Sequence, residues 1–108
     1  MCFPVTIPDG ITIDLSLGNR HQADQNDGDC GITLSNGSAG EIHVLELEYA
    51  GDFEWSFTSG GHYIGDTFDE SNCSGFQATA ADGDKLVMFV MSVDSDTIAR
   101  LGCEYHDQ

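Results

Sequence analysis

The stretch Lys85-Leu86-Val87-Met88-Phe89-Val90-Met91-Ser92-Val93 constrains the fold more than any other part of the chain. It is the longest nearly unbroken apolar run, rich in β-formers, with Asp82-Gly83-Asp84 before it and Asp94-Ser95-Asp96 after it. A helix of this length would normally keep a polar stripe, and this run has only Lys85 and Ser92 to offer. Asp/Gly punctuation on both sides bounds a buried strand. Because both parities are apolar, the strand is expected at the centre of a sheet covered on at least one side.

The rest of the chain is read around that strand. Phe3 to Ile7 predicts a short edge strand, interrupted by Pro4. Pro8-Asp9-Gly10 is a turn, and Ile11, Ile13, Leu15 and Leu17 then alternate with polar residues in the clearest period-2 pattern of the sequence. Residues 18–29 contain almost nothing apolar and read as a long exposed loop. Cys30 to Ser35 and Glu41 to Tyr49 read as a hairpin closed at Asn36-Gly37. Within the returning strand the apolar parity changes from Ile42 and Val44 to Leu45, Leu47 and Tyr49, which predicts a bulge near Val44. Phe53, Trp55 and Phe57 share one face of a further strand and are expected in the core. Strands are also expected over His62–Phe68, Phe76–Ala81 and Thr97–Tyr105, and a second polar loop over Asp69–Gly75.

Eight or nine short strands with frequent turns and no helical period predict an all-β fold. The expected architecture is one disulfide-stapled domain over residues 1–108, a two-sheet antiparallel β-sandwich of jelly-roll or immunoglobulin-like type. A closed β-barrel is the alternative. Comparison of the two halves shows no internal repeat.

Cys2, Cys30, Cys73 and Cys103 are even in number and widely spaced, with no Cys-x-x-Cys pair to build a zinc knuckle. Two disulfides in an oxidising compartment follow, and the chain reads as secreted. Met1-Cys2 lies almost at the first strand, which reads as a mature chain carrying a start methionine. Neither a signal peptide nor a membrane-spanning segment is visible in it. Asn36-Gly37-Ser38 and Asn72-Cys73-Ser74 are glycosylation sequons in expected turns, consistent with a glycoprotein.

The charge balance, 19 acids against three cations and a net −16, excludes the basic patches that nucleic acid and anionic lipid require. It suits a cationic partner, a metal ion, a solvated surface or a halophilic habitat. If strands simply alternate in direction, loops 18–29, 50–52, 69–75 and 94–96 gather at one end of the sandwich. Asp52, Asp69 and Glu70 then become candidate binding residues. The same parity favours Cys30–Cys73 and Cys2–Cys103 as the bridges.

Asp24-Gln25-Asn26-Asp27-Gly28-Asp29 places several hard oxygens on a glycine turn, as calcium requires. The spacing partly resembles the start of an EF-hand loop. It lacks both the bidentate Glu six residues after the glycine and the flanking helices, so an EF-hand is not expected. A calcium site built from Asp24, Asn26, Asp27 and Asp29, completed by Asp94 or Asp96, is the metal candidate; a solvated loop is the simpler reading.

Catalysis has less support. His21, His43, His62 and His106 form no metal-binding pair, and His43 beside Glu46 and Glu48 reads as a surface residue. No Gly-x-Ser-x-Gly elbow occurs. The expected function is a secreted acidic binding module for a protein, cell-surface or carbohydrate partner, possible calcium included. A small hydrolase using acidic-loop carboxylates and a protein-binding inhibitor or effector are the alternatives.

Overall fold

A computed structural model describes residues 2–3, 10–26, 28–57, 62–64, 70–94 and 97–107. The described strands are β1 (Cys2–Phe3), β2 (Gly10–Asp14), β3 (Arg20–Gln25), β4 (Cys30–Ser35), β5 (Ile42–Glu48), β6 (Trp55–Phe57), β7 (His62–Ile64), β8 (Lys85–Ser92) and β9 (Thr97–His106). They form a six-stranded sheet in the order β1-β3-β5-β8-β9-β7 and a three-stranded sheet in the order β2-β4-β6. The chain is all-β with two sheets, and they do not close into a barrel.

The strand directions correct the antiparallel expectation. From β2 to β6 consecutive strands alternate between the sheets, so each strand pairs with the one two places on, and these pairs are parallel. Gly10 lies beside Gly31, Arg20 beside Val44 and Cys30 beside Trp55, at spacings of 21, 24 and 25 residues. This segment is therefore wound as a coil, each turn contributing one strand to each sheet. The short repeat Gly10-Ile11-Thr12-Ile13 and Gly31-Ile32-Thr33-Leu34 stacks in exact register, so the chain carries a coil repeat where comparison of its halves showed none. Among the described residues, antiparallel pairing is confined to β1–β3, β5–β8 and β8–β9.

Asn36-Gly37 is accordingly not a hairpin turn. It joins β4 in one sheet to β5 in the other, and the two strands face each other through side chains instead of backbone bonds. Asn36 takes the left-handed conformation at φ 59°. Gly37 is buried so tightly that a Cβ would lie 2.2 Å from the Ser92 Oγ.

One core fills the space between the sheets. Ile11, Ile13, Ile32, Leu34 and Trp55 enter it from the smaller sheet, and Ala23, Leu45, Leu47, Leu86, Met88, Val90 and Ile98 from the larger. As the apolar run required, β8 is central, between β5 and β9. Several local expectations need correction. Leu17 does not continue the alternation, because Asp14 accepts the Ser16 N–H and starts a 3-10 turn at Leu15–Leu17 that leaves Leu17 82% exposed. The supposed loop 18–29 contains β3, whose inward residues are Ala23 and Gln25. No strand forms over 76–81. The pairing of β5 with β8 is continuous, so no bulge occurs at Val44, and the register shift lies instead in β8–β9 at Phe89/Val90.

The cysteine pairing also differs from expectation. Cys73 is bonded to Cys103, which overturns both favoured bridges, and Cys30 is disulfide-bonded as well. Parity counting failed here because it included a strand over 76–81 that does not form, which reversed the inferred direction of β8 and β9 and carried Cys103 to the wrong end. An intramolecular disulfide indicates an oxidising, extracellular-type environment. No described helix is long and apolar enough to cross a membrane.

Candidate functional site

The coil sets which loops meet. Since β2, β4 and β6 run one way and β3 and β5 the other, the connections 26–29 and 49–54 share an end with residues 70–84 that precede β8. The connections 15–19, 36–41 and 93–94 lie at the opposite end. Asp29, Asp52 and Glu70 are thereby brought together, whereas Asp94 is carried away from Asp24, Asn26 and Asp29. The calcium set cannot close as one site through Asp94. Asp27, Asp69 and Asp96 lie outside the described residues. Asp24 is exposed on β3 beside Glu48, and Asn26 is exposed just after that strand. Among the described residues, no three His, Cys, Asp or Glu side chains converge closely enough to hold a metal ion.

What these loops enclose is a cleft of about 410 Å³. Asp29, Asp52, Glu54 and Glu70 supply its carboxylates, and Tyr49, Phe53 and Phe76 its aromatic walls. Asp29 Oδ1 accepts the Glu54 N–H at 2.8 Å, fixing the 49–54 turn against the start of β4. Gln25 supports the same turn from β3. Its side chain accepts the Ala50 N–H at 3.2 Å and donates to the Glu54 carbonyl at 3.0 Å. Asp52 and Glu54 remain exposed at the mouth.

Two tyrosine–carboxylate contacts lie here, one lining the cleft through Tyr49 and Glu70 and one beside it through Tyr105 and Asp84. Glu70 is buried, and its Oε2 accepts the Tyr49 hydroxyl at 2.6 Å and the Trp55 N–H at 3.1 Å. Asp84, also buried, accepts the Tyr105 hydroxyl at 2.5 Å and the Ala81 N–H at 3.1 Å through Oδ2. The two tyrosine rings lie 5.3 Å apart, and Phe76 meets Tyr105 edge to face. Burial, followed by the bond to Glu70, pushes the Tyr49 phenol far above its ordinary range. Burial and then the bond to Asp84 do the same to Tyr105. Both phenols therefore stay protonated and donate to these carboxyl groups, of which Glu70 lines the cleft.

Sequence reasoning assigned Asp52 and Glu70 to binding but missed Phe53, Phe76 and the Tyr49 contact with Glu70. Period-2 aromatics at 53, 55 and 57 signalled core, and Trp55 is indeed buried, while Phe53 lines the cleft from just before β6. Burial of Trp55 removes it as a platform for sugar stacking. His43 was also misread. It is fully buried on the inner face of β5. Its Nδ1 lies 3.0 Å from the Gly18 carbonyl oxygen, to which His21 Nε2 approaches at 2.9 Å. The two rings are 5.5 Å apart at the end opposite the cleft. A carbonyl can only accept, so both ring nitrogens donate and this pair acts as a clamp on the 15–19 turn.

Comparison of the chain with family models, with curated proteins and with solved structures returned no match. The cleft has to be read from its own chemistry.

Proposed function

We propose that this protein is a secreted binding module that takes a cationic group of a protein partner, an arginine or lysine side chain, into the acidic cleft. The observation that carries this reading is the composition of the cleft wall: Asp29, Asp52, Glu54 and Glu70 with Phe53 and Phe76. Carboxylates attract a guanidinium or ammonium group, and aromatic faces accept its apolar stem and its charge. Glu70 is withdrawn from water within the recess, which strengthens a pair made with it, while exposed Asp29, Asp52 and Glu54 draw the cation to the mouth. A net charge of −16 steers a basic partner toward the molecule over a longer range.

The test is calorimetric titration with an arginine-rich peptide and a lysine-rich peptide, at 50 and 300 mM NaCl. Binding that weakens with salt, and that falls about two- to fivefold with Asp52→Asn or Glu54→Gln, supports the reading. Binding to neither peptide at 50 mM NaCl, or binding indifferent to both substitutions, would exclude the cleft as a cation receptor.

A further inference from the structure

The fold treats the two sequons of the chain differently. Asn36-Gly37-Ser38 forms the arch between β4 and β5, at the end of the molecule opposite the cleft. Asn36 and Ser38 are exposed, while Gly37 between them is buried against Ser92. Asn36 holds φ 59°, a left-handed conformation that asparagine tolerates better than most side chains. Its amide donates to the Asp14 carboxylate, so the side chain leaves the arch toward the Leu15–Leu17 turn that Asp14 caps. Leu17 is 82% exposed, the most exposed large apolar side chain among the described residues. At Asn72-Cys73-Ser74, by contrast, the middle residue is buried and bonded to Cys103. The Ser74 N–H donates to the Cys103 carbonyl, and the Ser74 carbonyl accepts the Tyr105 N–H. This second sequon is closed into the bridge and onto β9, directly after Glu70 of the cleft wall.

We infer that Asn36 is the N-glycosylated residue of the exported protein and that Asn72 is passed over. The inference rests on export of the chain and is independent of what the cleft takes. An asparagine two residues before a serine is the acceptor of a transferase that uses a lipid-linked oligosaccharide. A bond forms from Asn36 Nδ2 to the anomeric carbon of the first sugar. The bond from that carbon to the lipid diphosphate breaks, the diphosphate leaves with the electron pair, and the amide gives up one of its two protons to a base. The remaining N–H still donates to Asp14, so the arch needs no rearrangement. Transfer acts on a chain that is not yet folded. An occupied site is therefore one where folding neither competes for the sequon nor has to bury the sugar. Asn36 meets both conditions, since it ends exposed and is followed by a glycine and the exposed segment 38–40. Cys73 pairs with Cys103 across 30 residues, and that bridge withdraws the second sequon as it forms. A sugar on Asn36 stands beside the turn that displays Leu17, where its hydroxyls favour solubility, and it leaves the cleft at the other end open.

The full chain, led by an added signal peptide through the secretory pathway of a eukaryotic host, tests this by intact mass and by peptide mapping before and after enzymatic release of N-glycans. One glycan per chain is expected, on Asn36. Ser38 is held through its backbone, which donates to Glu41 Oε1 at 3.2 Å and accepts the Glu41 N–H. Ser38→Ala therefore keeps Asn36 and its turn while removing the acceptor serine, and it should give folded protein without sugar, with circular dichroism as the check. Ser74→Ala should leave the glycan in place. Cys103→Ala keeps the second sequon intact but frees Cys73, and should add a glycan on Asn72, read on cell-retained as well as secreted chain. Wild type secreted without sugar, or carrying it on Asn72, would overturn the inference. So would a glycan that survives Ser38→Ala, or a Cys103→Ala chain with Asn72 still bare.

Discussion

The Tyr49 hydroxyl donates to the Glu70 carboxylate at 2.6 Å inside the protein, across 21 residues of sequence. This bond ties the end of β5 to the segment before β8 and turns a buried acid into part of the cleft wall. Tyr49→Phe removes the donor and leaves the carboxylate with the Trp55 N–H. A loss of about 1.5–3 kcal/mol is expected, the usual worth of a hydrogen bond to a charged group. Urea unfolding of Tyr49→Phe, Glu70→Gln and the double variant measures it. Additive losses in the cycle would show that the two groups are not coupled.

The same contacts set the response to alkali. The folded phenols of Tyr49 and Tyr105 titrate above the unfolded value of about 10. A raised folded pKa means that the unfolded chain loses its proton first. The stability these groups contribute is complete below pH 10 and declines as pH rises toward the folded values. Absorbance at 295 nm should therefore show two tyrosines that ionise only with unfolding. Ionisation of all three tyrosines near pH 10, in protein that is still folded, would contradict this.

At the opposite end, burial is the main cause holding the His21 imidazole below its ordinary 6.5, against the Gly18 carbonyl, which raises it. With the folded pKa depressed, the unfolded state binds the proton more readily. The His21 contribution is complete above pH 6.5 and is lost as pH falls through the folded pKa. Melting temperatures of the wild type and His21→Gln should converge as pH is lowered from 7 to 5. A constant gap would remove His21 from the acid response.

Close approach at the arch between the sheets gives a steric prediction. A Cβ on Gly37 would lie 2.2 Å from the Ser92 Oγ and 2.7 Å from its Cβ. Gly37→Ala should cost about 1–3 kcal/mol, as overpacking does. Ser92→Gly should recover part of that in the double variant, because the buried Ser92 hydroxyl has no hydrogen-bond partner to lose. Melting curves of the four proteins decide it, and a double variant no better than Gly37→Ala would place the clash elsewhere.

The Cys73–Cys103 bridge closes a loop with a sequence separation of 30. Chain entropy assigns a bridge of that span about 3–4 kcal/mol. Cys73→Ser combined with Cys103→Ser should lower the urea midpoint accordingly, while a loss below 1 kcal/mol would show that the reduced chain keeps this loop closed by packing alone.

Much of the fold was legible because alternation is a local property. The 85–93 run marked the central strand, and the inward residues of β2, β4 and β6 can be read from period 2, whereas those of β9 change parity at its register shift. The repeat of Gly-Ile-Thr at residues 10–12 and 31–33 also signalled the coil. It was easy to miss because the next turn sets Ser56 and Phe57 beside Gly31 and Ile32. Residues 18–29 were misread because β3 has little apolar content, burying only Ala23 and Gln25. His43 was misread because its ring is held inside through Nδ1 on the Gly18 carbonyl, a partner 25 residues away. Of the candidate site, Asp52 and Glu70 could be guessed from loop acidity. The aromatic walls could not, because nothing local distinguishes Phe53 in a cleft from Phe57 packed against the core.

The sequence by itself determined that this chain is all-β, which strand lies at the centre, which faces are buried and that the surface is strongly acidic. The tertiary structure decided which strands pair, in which direction, how the cysteines join and which acids share a cleft. The physical reason lies in the turn at Asn36-Gly37. A hairpin and an arch between sheets use the same turn residues and the same apolar alternation, because both bury one face of each strand. They differ only in whether the strands meet through backbone hydrogen bonds or through side chains, and that choice depends on distant strands competing for the same edges.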